Sequence, residues 1–254
     1  MSLFEMHNVC KSFGGVKAVI DFSMKAEKNQ IIGIIGPNGA GKTTIFNLIS
    51  GIYTADSGNI ILDGVDITKK QQHEIALQGV SRTFQNIRLF KGLTCLENVM
   101  TTYDPKSKYN LLDMVIRSPR MKREDKEGRE LCMNQLRWVG LEEYAEERPE
   151  NLAYGLQRRL EIARALALKP KLLLLDEPAA GLNPKEVSDL TDLIYRIKEE
   201  HNTLILLIEH RLEVVMKISE IIHVQSFGET ISVGTPDECK RDPKVISAYL
   251  GEDD

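Results

Sequence analysis

Residues Asn151–Pro184 read NLAYGLQRRLEIARALALKPKLLLLDEPAAGLNP, and their reading decides the fold. Leu172–Leu175 is a short run of consecutive leucines, apolar on both faces, as in a strand buried in a sheet that is covered on both sides. Two carboxylates, Asp176 and Glu177, follow it directly. The turn Ala179–Pro184, punctuated by Gly181 and Pro184, comes next. Ahead of the strand, Leu152–Gln157 is a short turn opening a basic helix. Two adjacent acids at a strand's end are by themselves solvated turn residues; a loop further upstream tells what these are for.

That loop is Gly36-Pro37-Asn38-Gly39-Ala40-Gly41-Lys42-Thr43, followed by Thr44. It fits G-x-x-x-x-G-K-[ST], follows an apolar strand (Gln30–Ile35) and opens a helix (Thr43–Ser50), the context this motif requires. Its glycines let backbone N–H groups close around phosphate oxygens, and the helix N-terminus adds a favourable dipole. Lys42 is expected to neutralise the β- and γ-phosphates of ATP, and the Thr43 hydroxyl to coordinate Mg2+. With that loop present, Asp176 is expected to hold Mg2+ and Glu177 to polarise the attacking water. ATP and Mg2+ are therefore the expected ligands and ATP hydrolysis the expected chemistry.

The bulk numbers fit a protein of this kind. The chain has 254 residues, 42% hydrophobic and 28% charged, which suits one large domain or a core with a small subdomain. A net charge of −4 provides no basic field for nucleic acid. The cysteines, Cys10, Cys95, Cys132 and Cys239, are scattered without a C-x-x-C pair and read as reduced thiols. The N-terminus lacks the apolar core of a signal peptide, and no apolar run approaches the roughly 20 residues that span a bilayer.

Strands and helices alternate along the second half of the chain, which implies a mostly parallel sheet with right-handed crossovers. The N-terminal section reads as short strands, with Val16–Ile20 and Phe22–Met24 on either side of Asp21. Ser57–Leu62, Asp63-Gly64 and Val65–Ile67 read as a hairpin. From about Leu93 to Arg148 the character changes: Pro105, Pro119 and the mixed-charge run Arg117–Glu130 sit among apolar residues at helical spacing. This stretch, 93–148, reads as a helical subdomain inserted into an α/β core of residues 1–92 and 149–254, and the charge run as a solvated face. Glu186–Glu200 is an amphipathic helix, and Thr235-Pro236 and Asp242-Pro243 are helix starts, the last helix ending near Gly251.

With these motifs in place the chain resembles the ATP-binding cassette (ABC) family over essentially its whole length. The fold this implies is a P-loop NTPase core with a mostly parallel sheet, an antiparallel N-terminal β subdomain and the inserted helical subdomain. LAYGLQ stands where that family usually has L-S-G-G-Q, the turn that meets the γ-phosphate of ATP held by the other protomer. The resemblance thus implies that Ala153, Tyr154 and Gly155 contact nucleotide bound by a second chain. It also implies that Phe13 stacks on adenine and that Gln85 senses Mg2+ and the attacking water. Ala180–Asn183 is implied to cross between protomers, and His210 to contact the γ-phosphate as the switch histidine. Ala153 replaces the signature serine and removes a hydroxyl donor to a charged acceptor, a bond worth about 1.5–3 kcal/mol. Leu156 and Asn183 also depart from the family's Gln and Asp.

LAYG, RRLEIARAL, DEPAAGLNP, ILLIEH and the ending VISAYLGE are similar to the ATPase subunits of branched-chain amino acid importers, although Arg211 stands where that group often has an acid. The implied partners are a second nucleotide-binding subunit, transmembrane permease subunits and, indirectly, an extracytoplasmic solute-binding protein. The implied location is the cytoplasmic face of the membrane. Transport of another amino acid, a urea-like compound or a lipid-linked cargo is the alternative. A non-transport ABC ATPase is a third: the translation type usually carries two cassettes in one chain, and the repair type a long coiled coil, for which no sustained heptads are present here.

Overall fold

A computed structural model describes residues 2–103 and 118–250. The sequence readings at Pro105, Arg117 and Gly251 lie outside the described residues. The chain divides into two compact units, Met1–Gln85 with Lys171–Asp254, and Asn86–Pro170.

The first unit opens with β1 (Phe4–Phe13) and β2 (Val16–Ala26), then β3 (Ile31–Ile35) and α1 (Lys42–Ile49). β4 (Ser57–Leu62), β5 (Val65–Asp66), α2 (Gln72–Gln78) and β6 (Val80–Arg82) follow. β2, β1, β4 and β5 form an antiparallel sheet in that order. β2 is continuous through Asp21, where two strands are predicted. Asp21 adopts φ 51°, and its carboxylate accepts a hydrogen bond from the Asn8 amide at 2.7 Å. Asn8, at φ 48°, lies where the β1–β2 register shifts. A bulge thus absorbs the irregularity without ending the strand. Between β4 and β5, Asp63 (φ 50°) and Gly64 (φ 75°) make the two-residue turn that the D-G signal predicts.

The second unit holds α3 (Cys95–Met100), α4 (Pro119–Trp138) and α5 (Tyr154–Ala167), packed on one another. It takes in α5 and so reaches further along the chain than residues 93–148. Leu96, Val99, Leu136 and Leu160 are fully buried within it. The charge run on α4 forms i,i+4 pairs (Arg120–Glu124, Arg123–Glu127, Lys126–Glu130), as expected of a solvated helix face.

The chain returns to the first unit with β7 (Leu172–Asp176), α6 (Pro184–His201), β8 (Leu204–Ile208) and α7 (Leu212–Ile218). β9 (Ile221–Ser226), β10 (Glu229–Gly234), α8 (Pro236–Arg241) and α9 (Pro243–Leu250) complete it. The larger sheet has the order β10-β9-β3-β8-β7-β6, parallel except for the edge strand β10. β3, β7 and β8 are buried at every position. One core cluster joins Phe4, Phe22 and Phe46 to Ile34, Leu174 and Leu206, so α1 shares a core with both sheets. Each such side chain contributes about 1.5–3 kcal/mol on burial.

Register fixes the functional edge. Ile34 pairs with Ile208, and Ile208 with Asp176. The carboxyl ends of β3, β8 and β7 are therefore level. The loops after them carry the phosphate loop, Glu209-His210 and Glu177, on the side of a parallel sheet where ligands bind.

Candidate functional site

The phosphate loop runs from the end of β3 into α1. A Cβ at Gly36 (φ 148°) would lie 2.0 Å from the Gln225 carbonyl oxygen, and one at Gly41 (φ 95°) 2.2 Å from that of Ala18. Only glycine fits either place, so the loop is held close against β9 and β2 with its backbone turned in. Gly41 is the N-cap of α1 and offers no side-chain acceptor, so the first-turn amides face an anion without competition from a cap. Lys42 is 6% exposed, and its ammonium donates to the carbonyls of Gly36 (2.6 Å) and Pro37 (2.7 Å). The ammonium is thus drawn over the loop, where phosphate oxygens would replace neutral acceptors with charged ones. Thr43 is exposed at the same helix end, and Thr44 half-buried.

Asp176 is the last residue of β7 and is buried. Its Oδ2 accepts from Arg82 Nη2 at 2.8 Å. Nη1 of the same guanidinium donates to Asn47 Oδ1 at 2.7 Å and Ser50 Oγ at 3.0 Å. The Asp176 carboxylate, the Thr43 hydroxyl and the Gln85 amide oxygen are each hard-oxygen donors. Donors of that type suit Mg2+, which binds through few carboxylates together with substrate phosphates.

Glu177 extends the β7–β8 ladder by one bond, its N–H donating to the Ile208 carbonyl at 2.8 Å. It then turns at φ 47°, in the left-handed region. Such a conformation stores about 1–3 kcal/mol and is held in place by its surroundings. The carboxylate is gripped on both oxygens: His210 Nε2 lies 2.9 Å from Oε1, and Gln85 Nε2 donates to Oε2 at 2.8 Å. A carboxylate only accepts, so the second contact turns the amide nitrogen of Gln85 toward Glu177. Three residues from three loops, picked out of the sequence separately, meet at one carboxylate.

Phe13 is 40% exposed and edge-on to Tyr53, with ring centroids 4.9 Å apart; Lys11 Nζ lies 5.4 Å above its ring. An exposed aromatic held by neighbours is a surface on which a base can stack. Ala153, Tyr154 and Gly155 lie in the second unit, at the start of α5. Ala153 is the N-cap and supplies no side-chain acceptor; Tyr154 is exposed. Behind them Arg158 and Glu161 form a fully buried ion pair at 2.7 Å, and Gln157 Nε2 donates to the Leu152 carbonyl at 2.9 Å. Asn183, which departs from the family's Asp, is the N-cap of α6 in a capping box with Glu186.

Arg82, Glu209 and Tyr53 are absent from the sequence reading. For Arg82 a signal existed: a cation inside a short strand, V-S-R-T-F, needs a buried acid opposite. Among the described residues no helix is long and apolar enough to cross a membrane.

The profile of the ABC transporter family matches residues 19–180. The chain belongs to the ABC transporter family. A second profile, described as that of a branched-chain amino acid ATP-binding cassette transporter, matches residues 229–254 of this ABC chain. The chain is 45% identical to the high-affinity branched-chain amino acid transport ATP-binding protein BraF of Pseudomonas aeruginosa, covering 98% of both. Among solved structures, it superposes with a TM-score of 0.85 and 30% identity on the ADP conformation of MJ1267, an ATP-binding cassette of an ABC transporter, covering 99% of each. With MJ0796, a cassette in a dimeric post-hydrolysis state bound to ADP and Pi, the TM-score is 0.76 at 25% identity, covering 92% of this chain and 98% of the other. The ABC ATPase fold expected from the motifs is the fold of these neighbours.

Proposed function

We propose that this chain is the ATP-hydrolysing subunit of a membrane importer of branched-chain amino acids, namely leucine, isoleucine and valine. The observation that carries the chemistry is Glu177 bonded by Gln85 and His210 at the same sheet edge as the phosphate loop. The cargo rests on the 45% identity to BraF and on the C-terminal match.

In this reading Lys42 and the α1 amides balance charge on the phosphates, and Phe13 carries the adenine. Thr43, Asp176 and Gln85 would hold Mg2+, whose positive charge offsets that building on the phosphoryl oxygens. Glu177 accepts the proton of the attacking water, with His210 and Gln85 fixing where its two oxygens point. Ala153, Tyr154 and Gly155 meet ATP held by a second copy or a close relative of the chain. Dimer closure then follows binding, and opening follows hydrolysis. The helical unit Asn86–Pro170 passes this motion to transmembrane permease subunits, which a solute-binding protein supplies from the far side. The subunit lies peripherally on the cytoplasmic face of the membrane.

Two experiments test it. Glu177→Gln lowers turnover by about a hundredfold or more while ATP still drives dimer formation in sedimentation; unchanged phosphate release would remove Glu177 from the role. Co-purified with its permeases and reconstituted with the binding protein, the subunit hydrolyses ATP faster when leucine, isoleucine or valine is supplied. Absence of stimulation by all three would count against the cargo.

A further inference from the structure

Glu209 takes no part in the chemistry above, yet it is 3% exposed, next to His210 and directly after β8. Its Oε1 accepts the N–H of Ala179 at 2.6 Å. Its Oε2 accepts the N–H of His210 at 3.2 Å and, less closely, that of Arg211 at 3.4 Å. Burial pushes this carboxyl's pKa up, the Glu177 charge adds a smaller push, and the three amides pull against both. Immediately beyond, Arg211 Nη2 donates to the Leu182 carbonyl at 3.0 Å. Residues 209–211 therefore grip the turn after Glu177 at two points, Ala179 and Leu182. A solvated strand end needs none of this. Burying a carboxylate is costly unless several donors satisfy it, and here backbone amides from two separate loops do so.

We propose that Glu209 is a positioning residue that ties His210 to the 179–182 turn and so sets where His210 meets Glu177. Arg211 is the second tie. The inference rests on the proposed roles of Glu177 and His210. Ala179 is reached through two residues of backbone from Glu177, and His210 through one from Glu209. Loosening the tie therefore changes the Glu177–His210 contact without removing either group. The effect falls on turnover rather than on ATP binding, because Lys42 and Phe13 lie on other elements, α1 and β1.

The test is steady-state hydrolysis by the subunit with ATP and Mg2+. Glu209→Ala lowers kcat about tenfold with KM for ATP changed less than about twofold. Glu209→Gln, which keeps an oxygen for Ala179 but sets an NH2 group among donors, falls between Ala and the parent, and it replaces the Ala variant if that one does not fold. In a His210→Ala background either change lowers the residual rate by less than about twofold, because the tie then has nothing to position. A parental kcat in both variants overturns the proposal, as does a loss that multiplies in full on top of His210→Ala. Normal turnover in Glu177→Gln would instead overturn the reading beneath it; an inactive Glu177→Gln beside a fully active Glu209→Ala overturns the tie alone.

Discussion

Arg82 and Asp176 form a buried ion pair between neighbouring parallel strands, Nη2 to Oδ2 at 2.8 Å, with side chains 7% and 5% exposed. The guanidinium also lies 5.6 Å from the centroid of Phe46 and 5.1 Å from that of Phe84. Its other nitrogen reaches Asn47 and Ser50 at the end of α1. One side chain therefore ties the acid at the end of β7 to the helix that the phosphate loop opens.

Replacing Arg82 leaves a buried carboxylate with no counter-charge. Arg82→Met is expected to destabilise the protein by about 3–5 kcal/mol in urea unfolding. Arg82→Lys, with one point charge in place of a fork, keeps the pair but loses the bonds to Asn47 and Ser50. If Asp176 serves Mg2+, the Lys variant also needs more Mg2+ for half-maximal hydrolysis. An unchanged Mg2+ dependence would separate Arg82 from the metal and leave it a structural role.

The parts of this molecule written locally were the parts legible in the sequence. The phosphate loop, the four-leucine strand, the D-G turn and the Thr235-Pro236 helix start each need only a few consecutive residues, and all form as expected. Arg82 and Glu209 were not legible because their partners are distant in the chain: Arg82 meets Asp176 and Glu209 meets Ala179 only once the parallel register is set. The break predicted at Asp21 shows the converse. A local turn signal was present, but pairing with β1 on both sides carried the strand through it. Asn183 looked like a departure in an interprotomer loop; its neighbours Pro184 and Glu186 make it a helix cap first.

His223 gives a pH-dependence with a definite sign. It is buried in β9 against Phe22, ring centroids 5.7 Å apart, and its Nδ1 has no hydrogen-bond partner. Burial lowers its pKa to about 4 from 6.5. Between those values the unfolded chain binds the proton and the folded one does not, so stability rises with pH. The contribution is complete above about pH 6.5 and is lost as pH falls toward 4, a change of about 3 kcal/mol at roughly 1.4 per unit. His223→Leu should flatten the urea midpoint across that window. An equally steep slope in the variant would assign it to other groups.

Among the described residues, helix starts differ in how they are finished. α2, α3, α6 and α8 carry capping boxes, and Ser118 caps α4. α1, α5 and α7, which begin at the phosphate loop, at Ala153 and after His210, have no side-chain cap. Ala153→Asp is expected to stabilise the fold by about 1 kcal/mol through a cap and the helix dipole. If Ala153 meets the phosphate as proposed, the same substitution should weaken ATP-driven dimer formation, because its charge repels that phosphate; stronger dimer formation would take the α5 start out of the nucleotide contact.

The uncapped starts have a consequence for the protein as a material. A ligand bound by the native state alone raises stability with its concentration. In the proposed reading nucleotide finishes the starts of α1 and α5 in place of side chains, so part of the folded state's stability depends on the ATP concentration around it. Sturdiness and energy supply then rise and fall together, and a starved cell would hold a softer subunit as well as a slower one.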